Sequence, residues 1–201
     1  MKKQLFCITV ILITLITSSC STKKLESYQF TNEPITISLP KNFVRLDAEK
    51  ISHLVNDKLD ETRYNMLIGS FNDLLRGDQT LDIFQNTNNE FHYLLLLNTS
   101  NAPVFNTDIF NQLKSAQNHQ YGLLMEGSDG LSITEIDSKL KLTDTINMVK
   151  MKHRFKSNSE ENTFYKTVTL QTQSNRTIIS HELTNSEMDS EEYLLKIKVN
   201  E

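Results

Sequence analysis

The sequence predicts a single α+β domain in which helices pack on a mostly antiparallel β-sheet. Three observations support this fold class. Predicted strand pairs alternate with helical segments up to about residue 120, and the remainder of the chain is mainly strand-like. Several short segments alternate apolar and polar residues with a period of two, between turn-forming residues. The four consecutive leucines Leu94–Leu97 must point to both faces of a sheet, which indicates a central strand covered on both sides.

The first 19 residues have the properties of a secretory signal peptide. Lys2 and Lys3 give a positively charged start, and the apolar run over residues 5–17 ends in small residues before Cys20. This run is shorter than the roughly 20 apolar residues of a spanning helix. We therefore predict that residues 1–19 are removed on export, which leaves 182 residues, enough for one domain with a sizeable core.

The segment "ITSSC" resembles a bacterial lipobox, in which the cysteine becomes the mature N-terminus. The resemblance implies that Cys20 carries a thioether-linked diacylglycerol and an acylated amino group. Several acyl chains anchor a protein stably to a membrane without a spanning helix. The resemblance also implies sorting to the outer membrane, because Ser21 stands where an aspartate favours inner-membrane retention. We expect an envelope lipoprotein whose domain faces the periplasm.

The first part of the mature chain is predicted to contain a tether, a hairpin and helix. Residues 20–27 are polar and unpatterned, so we predict a lipidated N-terminus with a short tether, followed by one domain over 28–201. Residues 28–40 alternate apolar and polar side chains, which predicts a half-buried strand or hairpin that ends at the proline. Asp47 is suited to cap a helical pattern over 48–76, as one helix or two.

The middle of the chain is predicted to form a second strand pair and a helix. The segments 81–85 and 91–98 have strand patterns and are joined by the turn-forming "NTNN". Asn106 or Thr107 then caps a helix that continues to about Gln120. Its apolar residues share one face, which predicts packing against the sheet.

The last third of the chain is predicted to be mainly antiparallel strands. Residues 131–137 alternate as a strand. A three-stranded meander is predicted over 144–155, 162–172 and 176–184. Ser190 is a suitable N-cap for a helix within 190–199, with two glutamates in its first turn. The spacing of Ile197 and Val199 keeps a strand as the alternative.

The order of these elements, the opening "YQFTNEPITISLPKNF" and the later "GLSITEID" resemble the PsbP-like fold. The resemblance implies an α/β/α sandwich over about residues 28–199. It also implies a non-catalytic assembly or accessory protein, because many relatives of this kind have such roles. It names no activity or ligand.

Composition and motifs exclude several kinds of site. Without Lys2 and Lys3 the mature chain has a formal charge of −6, which argues against nucleic acid as a partner. Cys7 lies in the signal peptide and Cys20 would be acylated, which leaves no cysteine for a disulfide, a thiolate metal site or a nucleophile. None of the five histidines has zinc-site spacing on a helix, and no phosphate-binding glycine loop is present. We predict no catalytic residue, cofactor or metal.

One basic constellation remains as a candidate partner-binding patch. Lys150, Lys152, Arg154 and Lys156 occupy alternate positions, so they share one sheet face at a spacing of about 6.8 Å. The same solvent-facing surface is predicted to carry Tyr165, Thr167, Thr169 and Gln171 from the next strand. This patch could dock a carboxylate-bearing protein, a glycan or a lipid headgroup. The alternative is a solvated strand face whose lysines prevent edge-to-edge association.

The sequence therefore favours a membrane-anchored envelope lipoprotein that acts as a non-catalytic binding or assembly accessory protein, with a possible envelope protein as partner. Two alternatives stay open. An envelope hydrolase would require two carboxylates that converge in one cleft. A carrier of a small apolar ligand would require an internal cavity beneath Leu94–Leu97.

Overall fold

The computed structural model describes residues 24–31, 33–47, 81–100, 102–157 and 163–200. The predicted signal peptide, Cys20 and the predicted helix over 48–76 lie outside the described residues. So does most of the predicted turn before residue 163. The described residues form one α+β domain that is dominated by antiparallel strands. The fold class predicted from the sequence is therefore confirmed.

Seven strands form the main sheet. In chain order they are β3 (Phe43–Arg45), β4 (Leu81–Asn86), β5 (Asn89–Thr99), β6 (Leu131–Leu142), β7 (Asn147–Ser157), β8 (Thr163–Gln173) and β9 (Arg176–Thr184). The order across the sheet is β3-β4-β5-β9-β8-β7-β6, and neighbouring strands are antiparallel. β5 and β9 occupy the centre, which explains why the leucines of β5 are covered on both faces.

Three further strands form a small sheet: β1 (Leu25–Gln29), β2 (Ile35–Pro40) and β10 (Lys198–Val199). β1 and β2 are the predicted hairpin, which begins at Leu25 and so includes three residues assigned to the tether. β10 pairs with the other edge of β2 and brings the C-terminal end of the chain next to this hairpin. The apolar residues of β2 are fully buried at alternate positions, as the period of two predicts.

The two faces of the main sheet carry separate parts of the core. We call the face that packs against the small sheet the sandwich face. Its buried cluster includes Phe84, Leu94 and Leu96, which pack with apolar side chains of β2. We call the opposite face the helix face, and Leu95 and Phe155 belong to its cluster. Alternate residues of β5 therefore contribute side chains to both clusters. The prediction of a strand covered on both sides is confirmed.

The helix α1 (Thr107–Glu126) covers part of the helix face. Asn106 caps it, because its side-chain oxygen accepts a hydrogen bond from the Ile109 backbone N–H at 2.9 Å. Apolar side chains of its first two turns pack against Val149 and Met151 of β7. The helix extends one and a half turns beyond the predicted end. None of the helices in the described ranges is long and apolar enough to cross a membrane.

The C-terminal region combines both predicted alternatives. A single-turn helix, α2 (Glu191–Leu194), precedes β10, so neither a long helix nor a long strand forms. Ser190 stands at the N-cap position, but its side chain makes no capping bond. The predicted N-cap position of Ser190 is therefore correct, but its hydroxyl donates to the buried Glu182 instead of capping the helix.

Candidate binding cleft

A cleft of about 600 Å³ opens at the end of the sandwich where β1 begins and β2 ends. This volume lies within the range of about 300–1,000 Å³ that is usual for small-molecule sites. Four parts of the chain line the cleft: the start of the hairpin, the entry to β3, the β4–β5 turn region and the segment 186–193. The lining residues are Lys24, Pro40, Lys41, Asn42, Phe43, Asn86, Asn89, His92, Ser186, Met188, Asp189, Ser190, Glu192 and Tyr193.

The floor of the cleft is a hydrogen-bonded network around the buried carboxylate of Glu182. His92 Nε2 lies 2.6 Å from Glu182 Oε1. The Ser190 hydroxyl donates to the same oxygen at 2.8 Å, and the Ser190 backbone N–H donates to Oε2 at 2.9 Å. Glu182 therefore connects the central strand β9 to the C-terminal segment, and it accepts three hydrogen bonds in a site from which water is excluded.

A chain of asparagine amides fixes the His92 ring. Asn86 Oδ1 accepts from Asn42 Nδ2 at 2.7 Å and from the Asn88 backbone N–H at 2.9 Å. The Asn86 amide nitrogen therefore faces His92 Nδ1, at 3.3 Å, and donates to it. This arrangement assigns the ring proton of His92 to Nε2, where it is donated to Glu182.

The network is suited to holding the cleft in shape. In a Ser–His nucleophile pair, the serine hydroxyl donates to the histidine, which acts as its base. Here the Ser190 hydroxyl donates to Glu182, and His92 uses its own N–H on the same carboxylate. Phe43 packs edge-to-face on the His92 ring with 4.9 Å between ring centroids, which covers the network from the side of the cleft.

Ion pairs behind the cleft hold two carboxylates, those of Asp189, which lines the cleft, and of Glu191. Lys150 Nζ lies 2.7 Å from Asp189 Oδ2 and 2.8 Å from Glu191 Oε2. Lys152 Nζ lies 3.3 Å from Asp189 Oδ2 and also donates to the backbone oxygen of Glu187. The two lysines of β7 thus tie the segment 186–193 to the sandwich face of the sheet.

These ion pairs shift the pKa values of the groups involved. Burial alone raises the pKa of Asp189 and Glu191, but the hydrogen bonds and charges of the neighbouring lysines outweigh it and lower both values. Burial alone lowers the pKa of Lys150, and its bonds to Asp189 and Glu191 raise it above the ordinary lysine value. The carboxylates of Asp189 and Glu191 are therefore ionised at neutral pH and neutralised by fixed cations.

The predicted solvent-facing basic patch requires correction. Lys150 and Lys152 are 3% and 5% exposed, because the acidic C-terminal segment folds over them. Arg154 and Lys156 are exposed, and Tyr165 is half-buried with its ring 5.8 Å from Lys152 Nζ. The polar residues Thr167, Thr169 and Gln171 are also buried. The shared face was predicted correctly, but its exposure was not, and the binding role assigned to the five patch residues stays a prediction.

The helix face holds a second group of buried polar residues. His153 is buried, and neither of its ring nitrogens has a hydrogen-bond partner among the residues that the structure describes. It packs edge-to-face on Tyr121 with 4.7 Å between ring centroids. Its cross-strand neighbour is Lys166. Burial lowers the pKa of Lys166 to about 8, and burial followed by the Lys166 charge lowers that of His181 to about 3. This group does not line the cleft.

Sequence reasoning missed the residues that build the cleft. Glu182 and Ser190 are 8 positions apart, and His92 lies 90 positions before Glu182, so no local spacing connects them. Phe43 entered the sequence analysis only as the last residue of the opening "YQFTNEPITISLPKNF". One sequence feature could have pointed to these residues: His92 and Glu182 lie within strongly patterned strands, where their side chains are expected to be buried.

Comparison with known proteins identifies the fold. No protein-family model matches the sequence, and no curated protein sequence matches it. The solution structure of cyanobacterial PsbP (CyanoP) from Synechocystis sp. PCC 6803 is similar, with a TM-score of 0.50 and 10% sequence identity. That comparison covers 90% of this chain and 96% of the other. The Ran-binding protein Mog1p of Saccharomyces cerevisiae gives a TM-score of 0.44 at 11% identity, covering 89% and 96%. The PsbP likeness supports the PsbP-like fold predicted from the sequence.

Proposed function

We propose that the chain is a lipid-anchored protein of the bacterial envelope that binds a partner in the cleft without catalysing a reaction. The observation that carries this proposal is the position of the cleft. Lys24 lines the cleft and lies four residues after Cys20, the cysteine of the lipobox-like segment. Four extended residues span at most about 14 Å. An acylated Cys20 would therefore hold the cleft close to the membrane surface.

The chemistry of the cleft supports binding over catalysis. The carboxylates of Asp189 and Glu191 are held by lysines and have lowered pKa values, so neither is suited to donate a proton at neutral pH. Glu182 is occupied by three donors. These contacts support a structural role for Asp189, Glu191 and Glu182, and these three carboxylates give the hydrolase alternative no specific support.

The position of the cleft also changes where a carrier of a small apolar ligand would hold that ligand. Leu94–Leu97 are almost completely buried, and Leu94, Leu95 and Leu96 belong to packed clusters on the two faces of β5. The space available to a ligand lies at the end of the sandwich, beside His92, rather than beneath those leucines. Ligand carriage would therefore use the same cleft as partner binding.

Photocrosslinking in living cells tests the proposal on the full-length protein. A benzophenone amino acid replaces Met188, which lines the cleft and is 70% exposed. The matched control replaces Leu123, which is exposed on α1 and does not line the cleft. We expect a reproducible adduct at position 188 that is absent at position 123. Equal labelling at both positions, or no adduct at 188 in a protein that has reached the membrane, would contradict the proposal.

A further inference from the structure

We propose that the ligand of the cleft is an anionic amphiphile, a molecule with a hydrocarbon chain and a phosphate or carboxylate headgroup. This inference rests on the proposed function, since it assigns a chemical class to the partner of the same cleft. Three features of the described residues support it: a pair of lysines at the rim, an apolar wall with an exposed methionine, and amides that are already hydrogen-bonded within the protein.

Lys24 and Lys41 form the cationic rim. β1 and β2 pair up to Leu25 and Pro40, and the Lys41 backbone N–H donates to the Lys24 backbone oxygen at 3.1 Å. The two lysines are therefore cross-strand neighbours at the open end of the hairpin. Neither has an ion pair among the described residues, whereas Lys139, Lys150 and Lys152 all do. Neighbouring like charges across two strands repel each other, and a bound anion would remove that repulsion.

The wall next to the rim is apolar. Phe43 and Tyr193 are packed into the sandwich-face core and present their remaining surface to the cleft. Met188 also lines the cleft, with most of its side chain exposed. Methionine is flexible and polarisable, so it adapts to hydrocarbon of varied shape. A cationic rim beside such a wall matches a headgroup joined to an acyl chain.

The amide groups in the cleft argue against a peptide or a glycan. The side-chain amide of Asn42 donates to Asn86, that of Asn86 to His92, and that of Asn89 to Asn185. Recognition of a sugar or a peptide backbone depends on several directed hydrogen bonds. The cleft uses these amides to maintain its own structure, while the ammonium groups of Lys24 and Lys41 and the apolar wall remain available. A membrane within about 14 Å of Lys24 would supply amphiphiles of the required kind.

The test uses the full-length protein in cells grown with ³²P-phosphate, with the benzophenone amino acid at position 188. The matched control places it at Leu25, which is next to Lys24 and 42% exposed but does not line the cleft. Leu25 is only five residues from Cys20, so a membrane contact without a site would label position 25 as well as position 188. We expect a ³²P-labelled adduct of monomer size at position 188 and a much weaker one at position 25.

Charge reversal separates a specific site from an apolar surface. The double substitution Lys24→Glu and Lys41→Glu should reduce the labelled adduct at position 188 by about tenfold or more. Each basic side chain near an anionic lipid increases the binding affinity by about a factor of five. Lys198→Glu, an exposed lysine on β10, is the control and should leave the adduct unchanged. Position 41 is farther from Cys20 along the chain than position 24 is. The single substitution Lys41→Glu should still reduce the labelled adduct severalfold.

The outcomes distinguish the ligand classes. An adduct without ³²P, in which the peptide Thr177–Lys196 gains the mass of a fatty acid, would assign a free fatty acid and support the inference. A protein adduct specific to position 188 would overturn the inference and leave the proposed function intact. Equal ³²P labelling at 188 and 25, or labelling that survives charge reversal, would overturn the inference. The absence of any adduct at 188 would overturn both proposals.

Discussion

At the scale of single residues, Glu182 is the group on which the floor of the cleft depends. Its carboxylate is 2% exposed and satisfies the His92 ring N–H and both donors of Ser190. A buried donor that loses its acceptor keeps its desolvation cost without compensation. Because three buried donors depend on the Glu182 carboxylate, removal of this side chain is expected to lower the free energy of unfolding.

Substitution Glu182→Ala is expected to lower the free energy of unfolding by about 2–4 kcal/mol, because it leaves buried donors without an acceptor. Urea denaturation of the purified protein measures this change. Glu187→Ala is the matched control, since the Glu187 side chain is exposed, and it should change the value by less than about 0.5 kcal/mol. Equal effects of the two substitutions would show that the Glu182 network does not contribute to stability.

Lys150 gives a prediction that depends on pH. Removing one partner of a buried ion pair costs about 3–5 kcal/mol. Lys139 and Lys152 still neutralise Glu191 and Asp189 in part, so we expect Lys150→Met to cost roughly 2–3 kcal/mol at pH 7. Lys141→Met, on the exposed edge strand β6, is the control and should have almost no effect.

The sign of the pH effect follows from the lowered pKa values of Asp189 and Glu191. A carboxylate whose pKa is lowered in the folded state contributes its full stability at pH values above its unfolded-state pKa, which is 3.8 for Asp189 and 4.5 for Glu191. This contribution is lost as the pH falls through the folded-state pKa. The stability difference between wild type and Lys150→Met should therefore shrink below about pH 4. A difference that stays constant from pH 7 to pH 3 would contradict the role given to these ion pairs.

At the scale of elements, strand periodicity predicted the hairpins and the meander because it depends only on which face each residue occupies. The central position of β5 was also predictable, since four leucines in a row require cover on both faces. Periodicity placed Lys150 and Lys152 on one face for the same reason. It could not show that residues 186–193 would fold over that face, because the partners lie about 40 positions away and share no pattern with β7.

The central strand provides a direct test of the two packed faces. Leu95→Ala and Leu96→Ala remove buried side chains from opposite faces of β5, and each should lower the free energy of unfolding by about 2–5 kcal/mol. Leu25→Ala, on the exposed edge of β1, should cost less than about 0.5 kcal/mol. A small cost for only one of the central leucines would show that one face of the sheet is poorly covered.

At the scale of the whole molecule, the sandwich brings the start of β1 and the segment 186–193 to the same cleft. Leu25 pairs with Pro40 at one end of β2, where Lys24 and residues of 186–193 line the cleft, whereas β10 pairs with Ile35 and Thr36 at the other end of β2. The sequence predicted the fold class and the anchor, each from local patterns. It could not predict the cleft, because the lining residues come from four separate segments that only the sandwich brings together.

Both proposals depend on the modification of Cys20, and the mass of the mature N-terminal peptide tests it most directly. Trypsin should release Cys20–Lys23 from the membrane-extracted protein. We predict that this peptide begins at Cys20 and carries a thioether-linked diacylglycerol and an amide-linked acyl chain. A peptide with an unmodified Cys20, or a mature chain that retains residues 1–19, would contradict the membrane anchor and with it the position of the cleft at the membrane surface.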